Sequence, residues 1–179
     1  MRKVLFLLLV LTAAPALAQT PEQTTVSKEH EWLKKFVGEW EVESVDRQEG
    51  ADENQTISGS ISAKMLGEFW IVNRHKVDAP GFAFSAMQTI GYDATKKKFV
   101  GNWVDTVMNH MWVYNGRLSK DGNKLILMAK GPKAANDVVL NYRDSYEFKS
   151  KDLIHAKSEM QDEDGNWTVF MTSSIKRKE

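Results

Sequence analysis

The 179-residue chain contains no cysteine. Disulfide bridges, thiol nucleophiles and Cys-ligated metal or iron–sulfur sites are therefore excluded. The chain has no excess of either charge, because 24 Lys and Arg residues balance 24 Asp and Glu residues. A nucleic-acid partner is not expected, since binding one requires a basic face. The length is typical of a single domain.

Long apolar runs are also scarce, and the clearest one lies at the N-terminus. Residues 1–3 are positively charged at Arg2 and Lys3, residues 4–11 are apolar, and Ala16-Leu17-Ala18 has the small–x–small pattern of a cleavage site. This pattern predicts a signal peptide. The run is shorter than the ~20 residues that span a bilayer, so we expect no membrane span after cleavage.

The domain organisation follows from this signal. We predict a signal peptide at residues 1–18, cleaved after Ala18, a polar flexible leader at 19–26 and one domain at 27–179. The short, alanine-ended signal is typical of a periplasmic or secreted bacterial protein.

Helical periodicity is confined to a short segment. Ser27 is a suitable N-cap residue, and Trp32, Leu33, Phe36 and Val37 would share one helical face. A single short helix is therefore expected before the strands begin.

Beyond this helix the hydrophobic pattern has a period of two. From Thr56 to Met65, for example, apolar or small residues alternate with polar ones. Ten strands are predicted, at residues 39–48, 55–65, 68–78, 82–92, 98–106, 110–119, 124–131, 138–149, 153–161 and 167–177. Because the links are short, neighbours should pair antiparallel, and closure would remove exposed edges. We expect an all-β, up-and-down barrel with the helix across one end.

Gly38-Glu39-Trp40 resembles the G-x-W signature of the lipocalin-like (calycin) barrels. That resemblance implies that Trp40 closes one end of the barrel. It also implies that a basic residue of the last strand, Lys176 or Arg177, packs over Trp40. Gly38, Trp40 and Arg177 are therefore expected to form a structural signature.

A longer set of motifs makes the resemblance more specific. It comprises His30-Glu31-Trp32-Leu33, Val37-Gly38-Glu39-Trp40, Gly91-Tyr92-Asp93, Trp103-Val104-Asp105, Tyr146-Glu147-Phe148 and Asp164-Gly165. Over about residues 28 to 178 the chain resembles a bacterial family, domain of unknown function fifteen-seventy-nine. The resemblance implies an often exported calycin-like barrel with no established reaction or ligand. Met108-Asn109-His110 departs from the family pattern, and the sequence leaves open whether His110 has a function.

Alternation also predicts which side chains line the interior. If Arg74, Lys76 and Arg143 face water, their neighbours on the same strands face inward. The candidate ligand-binding residues are Asn73, His75, Trp103, Asp105, Tyr142, Asp144 and Tyr146. An apolar cavity with a few polar groups suits a small, largely apolar ligand.

A barrel filled by its own side chains is the alternative. His75 would then pair with Asp105 or Asp144 in a closed network, and the protein would act through its surface in the envelope. A cavity of ~300 Å³ or more would favour ligand binding, whereas interdigitated side chains would favour the filled barrel.

Motifs for catalysis are missing. The chain has no G-x-S-x-G, phosphate loop or H-E-x-x-H, and its four His residues lie far apart in sequence. We therefore expect no cofactor, no metal site and no enzyme, although a His–Asp pair acting as a general base remains a third possibility. Met108, Met111 and Trp112 would form an exposed lip for an unidentified protein partner.

Overall fold

The computed structural model describes four stretches of the chain, residues 25–47, 56–79, 82–133 and 136–179. The signal peptide predicted at 1–18 and most of the leader predicted at 19–26 lie outside these residues. Both stay predictions.

One short helix precedes ten strands. Helix α1 spans Lys28–Leu33 and tightens into a 3₁₀ turn at Lys34–Phe36. The strands are β1 Gly38–Asp46, β2 Thr56–Leu66, β3 Trp70–Ala79, β4 Phe82–Asp93, β5 Lys98–Asp105, β6 Trp112–Leu118, β7 Lys124–Lys133, β8 Asn136–Ser150, β9 Leu153–Gln161 and β10 Trp167–Arg177. The ten predicted strands are confirmed, each boundary lying within two residues of its predicted place.

The strands form one closed antiparallel barrel. Each strand from β1 to β10 pairs with the next along the chain, and β10 returns to pair with β1, with Trp40 opposite Arg177. Closure leaves no row of unpaired backbone groups at a sheet edge. The predicted fold class is confirmed.

The two ends of the barrel differ. The turns that follow β2, β4, β6 and β8 lie at the end where α1 enters β1, which we call the plugged end. The links that follow β1, β3, β5, β7 and β9 lie at the opposite end, which we call the mouth. The position of each side chain along its strand therefore decides which end it belongs to.

Hydrogen bonds to strand β4 and to the turn between β6 and β7 fix the helix across the plugged end. The Ser27 backbone N–H donates to His30 Nδ1 (3.0 Å), so the His30 proton lies on Nε2, which donates to the Tyr92 carbonyl (3.0 Å). His30 thus takes the place that Glu or Gln has in a capping box. Trp32 Nε1 donates to the Gly122 carbonyl (2.8 Å) in the turn between β6 and β7.

The predicted apolar face of the helix is correct except at its last residue. Trp32, Leu33 and Phe36 are buried, whereas Val37 is 39% exposed. The prediction for Val37 was wrong because α1 ends at Leu33 and the following 3₁₀ turn changes the angle between successive side chains.

Trp40 and Arg177 complete the plug, as the sequence signature predicts. The Trp40 ring is 1% exposed, and its Nε1 donates to the Phe36 carbonyl (2.7 Å). The Arg177 guanidinium lies 4.0 Å from the centre of that ring. Gly38 has φ +137°, and a Cβ there would lie 2.3 Å from Arg177 Nη1, so glycine is required. Lys176 instead pairs with Glu43 on the outer face (3.4 Å).

Candidate functional site

Side-chain burial follows the predicted alternation in β3, whereas in β8 the outward Arg143 and Glu147 are half-buried like the inward Tyr142 and Asp144. The predicted ligand-binding residues are all buried or half-buried: Asn73, His75, Trp103, Asp105, Tyr142, Asp144 and Tyr146. Arg74 and Lys76, predicted to face outward, are exposed. The candidates therefore share the inner face, but their hydrogen bonds divide them into separate groups.

One group is a chain of amides that crosses the barrel interior. Asn73 Nδ2 donates to Gln88 Oε1 (2.9 Å), and Gln88 Nε2 donates to the Tyr146 hydroxyl (2.9 Å). Gln88 is fully buried. It was not predicted, although its place on β4, two residues from the apolar Ile90, puts it on the inner face. These contacts hold the Asn73 amide against Gln88.

A second group surrounds Asp144. The Tyr114 hydroxyl donates to Asp144 Oδ2 (2.8 Å), and the Ser158 hydroxyl donates to Oδ1 (2.6 Å). Burial raises the pKa of the Asp144 carboxyl, and burial also raises the pKa of the Tyr114 hydroxyl. The cost of burying the Asp144 carboxylate is thus partly offset by two neutral donors, neither of which was among the predicted residues.

His75 belongs to neither group. Its Nε2 is shielded from solvent and has no hydrogen-bond partner among the described residues. The ring lies edge-on to Trp103, with 4.7 Å between the ring centres. Burial lowers the pKa of His75 to about 4, so the ring is neutral at physiological pH. The pairing with Asp105 or Asp144 that a closed network would require is not found.

Asp105 organises a loop. Its Oδ1 accepts hydrogen bonds from the backbone N–H groups of Val107 and Met108 (both 2.8 Å), and its Oδ2 accepts one from Trp103 Nε1 (2.8 Å). These three bonds use both carboxylate oxygens to shape the link between β5 and β6. As a ligand-binding candidate, Asp105 is therefore weakened.

Aromatic rings occupy the inner face near the mouth. Tyr142 donates its hydroxyl to the Pro132 carbonyl (2.9 Å), and its ring lies edge-on to Trp112, with 4.7 Å between ring centres. Trp112 covers Gly131, where a Cβ would lie 2.2 Å from the indole. His110 Nε2 donates to the Lys130 carbonyl (3.2 Å), which gives this residue a packing role.

The predicted lip at the mouth is present only in part. Met111 is 55% exposed. Met108 is half-buried, and Trp112 is half-buried against the inner aromatic rings. The sequence could not distinguish these positions, because a loop has no fixed alternation.

A small void lies below His75, toward the plugged end. It measures about 10 Å³, and its lining includes Asn73, His75, Gln88, Tyr146 and Trp40. That volume is near the minimum for one water molecule. This volume is far below the ~300 Å³ that would favour a preformed ligand cavity, so the residues around the void fill this part of the barrel. Of Trp103, Asp105, Tyr142 and His75, only His75 borders this void.

A larger concavity lies outside the barrel. It is an open groove of about 560 Å³ across the outer face of β1 and β7 to β10. Its charged side chains are largely paired, as in Lys124 with Glu147 (2.9 Å), while Lys157 pairs with the neighbouring Glu159 (2.9 Å). His155 in this groove is exposed, as predicted. Paired charges of this kind attract no particular class of ligand.

A closed antiparallel barrel, plugged by a helix and by a Trp–Arg stack, defines the calycin-like class. The family model for DUF1579, a protein of unknown function, matches residues 25–177, and the chain belongs to this family. No curated protein sequence matches the chain.

Two solved structures share the fold at low sequence identity. The S-type phycobiliprotein lyase CPES from Guillardia theta has a TM-score of 0.57 and 12% identity, with 83% of this chain and 92% of that chain covered. Rv2717c from M. tuberculosis has a TM-score of 0.59 and 9% identity, with 87% of this chain and 100% of that chain covered. At these identities the similarity shows the fold alone.

The described stretches contain no cluster of three or more His, Asp or Glu side chains placed to hold a metal ion. No helix within them combines the length and apolar character that crossing a membrane requires.

Proposed function

We propose that the protein is exported and binds a small, largely apolar molecule inside the barrel, without catalysing a reaction on it. Two solvent-shielded polar atoms carry this proposal. Asn73 Oδ1 and His75 Nε2 face the interior without a partner in the described part of the chain, although Gln88 and Tyr146 beside them are hydrogen-bonded. Buried polar atoms normally have a partner, so these two atoms provide a place where the polar group of a ligand can bind.

The aromatic rings toward the mouth supply the apolar part of such a site. Trp103, Trp112 and Tyr142 are half-buried. Trp103 lies edge-on to His75, and Trp112 lies edge-on to Tyr142. Each such contact contributes only about 0.5–1.5 kcal/mol beyond area burial. A ligand larger than the void must displace these rings, which are half-buried, whereas Tyr146 deeper in the barrel is buried. Entry from the mouth is therefore favoured over entry through the plugged end.

Native mass spectrometry tests the binding proposal. The mature protein would be purified without detergent from the envelope of its own host. We expect a reproducible extra mass that is lost on denaturation. Trp103→Ala should reduce the bound fraction at least tenfold, whereas Val104→Ala, at the adjacent outward position, should leave it unchanged. A bare chain in repeated preparations, or equal loss in both variants, would contradict interior binding.

Export rests on the sequence of residues 1–18 and has its own test. N-terminal sequencing of the protein recovered from the host should begin at Gln19, directly after the predicted cleavage site. A protein that retains Met1 and remains with the cytoplasmic fraction would contradict export while leaving ligand binding untouched.

Surface contact in the envelope is the second candidate. Met87, Val104 and Val113 are exposed on the outer face of β4 to β6, and Met87 lies directly opposite Val104. Exposed apolar patches often mark interaction sites. If this candidate is correct, a protein should co-purify with the wild-type chain and be lost in Met87→Glu, while Trp103→Ala retains it.

An enzyme that uses a His–Asp pair has the least support. A general base of this kind needs a carboxylate within hydrogen-bond reach of the imidazole. Asp144 is bonded to Tyr114 and Ser158, and Asp105 is bonded to its own loop.

A further inference from the structure

Two polar atoms that have no partner among the described residues belong to successive inward positions of β3. Asn73 and His75 are two residues apart, so their side chains point to the same face of the strand. Asn73 Oδ1 and His75 Nε2 are both shielded from solvent, and both residues border the void of about 10 Å³. Leaving such atoms unpaired is unfavourable. A group placed in the void lies against both residues.

The orientation of Asn73 determines what that group must offer. Its Nδ2 already donates to Gln88, and Gln88 is held in turn by Tyr146. The remaining Oδ1 is a hydrogen-bond acceptor, so the group facing it must carry an O–H or an N–H.

Building on the proposed ligand-binding function, we propose that the ligand's polar group is uncharged and is a hydroxyl or an amide that binds between Asn73 Oδ1 and His75 Nε2. A hydroxyl can donate to the asparagine oxygen and accept from His75 when the ring proton lies on Nε2. A primary amide can donate one N–H to the asparagine oxygen and the other to Nε2 when the ring proton lies on Nδ1.

A carboxylate does not suit this position. It would place its negative oxygens against the lone pairs of Asn73 Oδ1, and the neutral His75 ring supplies no positive charge to compensate. The neighbouring strands add no positive charge, because they line the void with neutral groups: Ile61 of β2, Gln88 of β4 and Tyr146 of β8. An unpaired ionised group in such surroundings is strongly disfavoured.

An ammonium group is also excluded by what surrounds the void. The described residues that line it include no Asp or Glu. The buried Asp144 lies on the inner face but is already bonded to Tyr114 and Ser158, and it does not border the void. The site therefore selects against charge of either sign.

Four probes with the same ten-carbon chain test this inference: 1-decanol, decanamide, decanoate and decylammonium. Binding to the mature wild-type protein at pH 7.5 would be measured by tryptophan fluorescence and by calorimetry. We expect the alcohol and the amide to bind at least tenfold more tightly than the two ions. Asn73→Leu should reduce this preference to less than threefold, and Asn115→Leu, exposed on the outer face of β6, should retain it.

The outcomes separate the inference from the function on which it rests. Equal binding of the four probes, or tightest binding of decanoate, would overturn the uncharged group while supporting an apolar carrier. Absence of binding by all four would contradict both. A crystal structure with 1-decanol that shows only a water between Asn73 and His75 would also overturn the inference. Because the probe series uses the wild-type protein, it remains decisive even if Asn73→Leu does not fold.

Discussion

Two neighbouring regions of the barrel, the plug and the interior next to it, satisfy their polar groups to different degrees. At the plugged end the indoles of Trp32 and Trp40 each donate to a backbone carbonyl, and Arg177 donates to three carbonyls while it covers Trp40. In the interior next to the plug, Asn73 and His75 each hold a shielded polar atom without a partner in the described residues. The plug is thus built for stability, whereas the interior next to it keeps groups that reduce stability, as functional sites commonly do.

The largest expected effect compares a tryptophan of the plug, Trp40, with a tryptophan of the interior, Trp103. Trp40→Ala should reduce the free energy of unfolding by about 3–5 kcal/mol, because it removes a buried indole, its hydrogen bond and its contact with Arg177. Trp103→Ala removes a half-buried ring and should cost about 1–2 kcal/mol. Urea unfolding of both variants measures the difference. Equal losses of unfolding free energy would mean that the plug and the interior are packed alike.

Alternation along the sequence was sufficient to predict the strands and the barrel. Each strand has one apolar and one polar face, as between Thr56 and Met65, and antiparallel pairing with short links left closure as the simplest arrangement. The plug was also predictable, because Gly38, Trp40 and Arg177 carry a recognisable signature.

The contacts of the candidate site were not predictable in the same way. Alternation assigns a side chain to a face, but only strand register assigns its partner. Asp144 meets Ser158 because those residues lie opposite each other in β8 and β9, and it meets Tyr114 across β7. The filled-barrel alternative paired His75 with a carboxylate, yet none lies within hydrogen-bond reach among the described residues. Asp105 lies at the end of its strand, where local backbone N–H groups compete for its oxygens.

The pH dependence of stability provides the next largest effect. The folded-state pKa of His75 is about 4, below the value of 6.5 for the unfolded chain, so the unfolded state binds more protons between these values. The stability contribution is complete above pH 6.5 and is lost as the pH falls toward 4, by up to roughly 3 kcal/mol. His75→Gln should flatten this part of the unfolding curve relative to wild type.

His155 provides the matched control for this pH dependence. It is exposed on the outer face of β9, so His155→Gln should leave the slope between pH 4 and 6.5 as in the wild type. Chemical denaturation at a series of pH values would measure both variants. If His75→Gln retains the wild-type slope, the imidazole is solvated. The contrast between the plug and the interior next to it is then weaker than the structure indicates.

A smaller effect is expected from Arg177→Lys at the plugged end. The guanidinium donates to the carbonyls of Val37 (2.6 Å), Lys35 (3.1 Å) and Lys151 (3.0 Å), an arrangement that one ammonium group cannot reproduce. We expect a loss of about 2 kcal/mol in urea unfolding. Arg74→Lys, exposed on β3, should change stability by less than ~0.5 kcal/mol. Full rescue by lysine would show that charge alone is needed.

The smallest effect tests whether the helix is held as one unit with the barrel. Trp32→Phe keeps an aromatic ring beside Phe36 and Phe148 but removes the hydrogen bond to the Gly122 carbonyl, which should cost about 1 kcal/mol. Trp167→Phe is the control, because that ring lies over Arg143 on the outer face. Hydrogen exchange should become faster in α1 and in the turn at Gly122, and the central strands should be unaffected. If exchange rises equally throughout the barrel, the helix and the strands unfold together, and the plug is part of the global core.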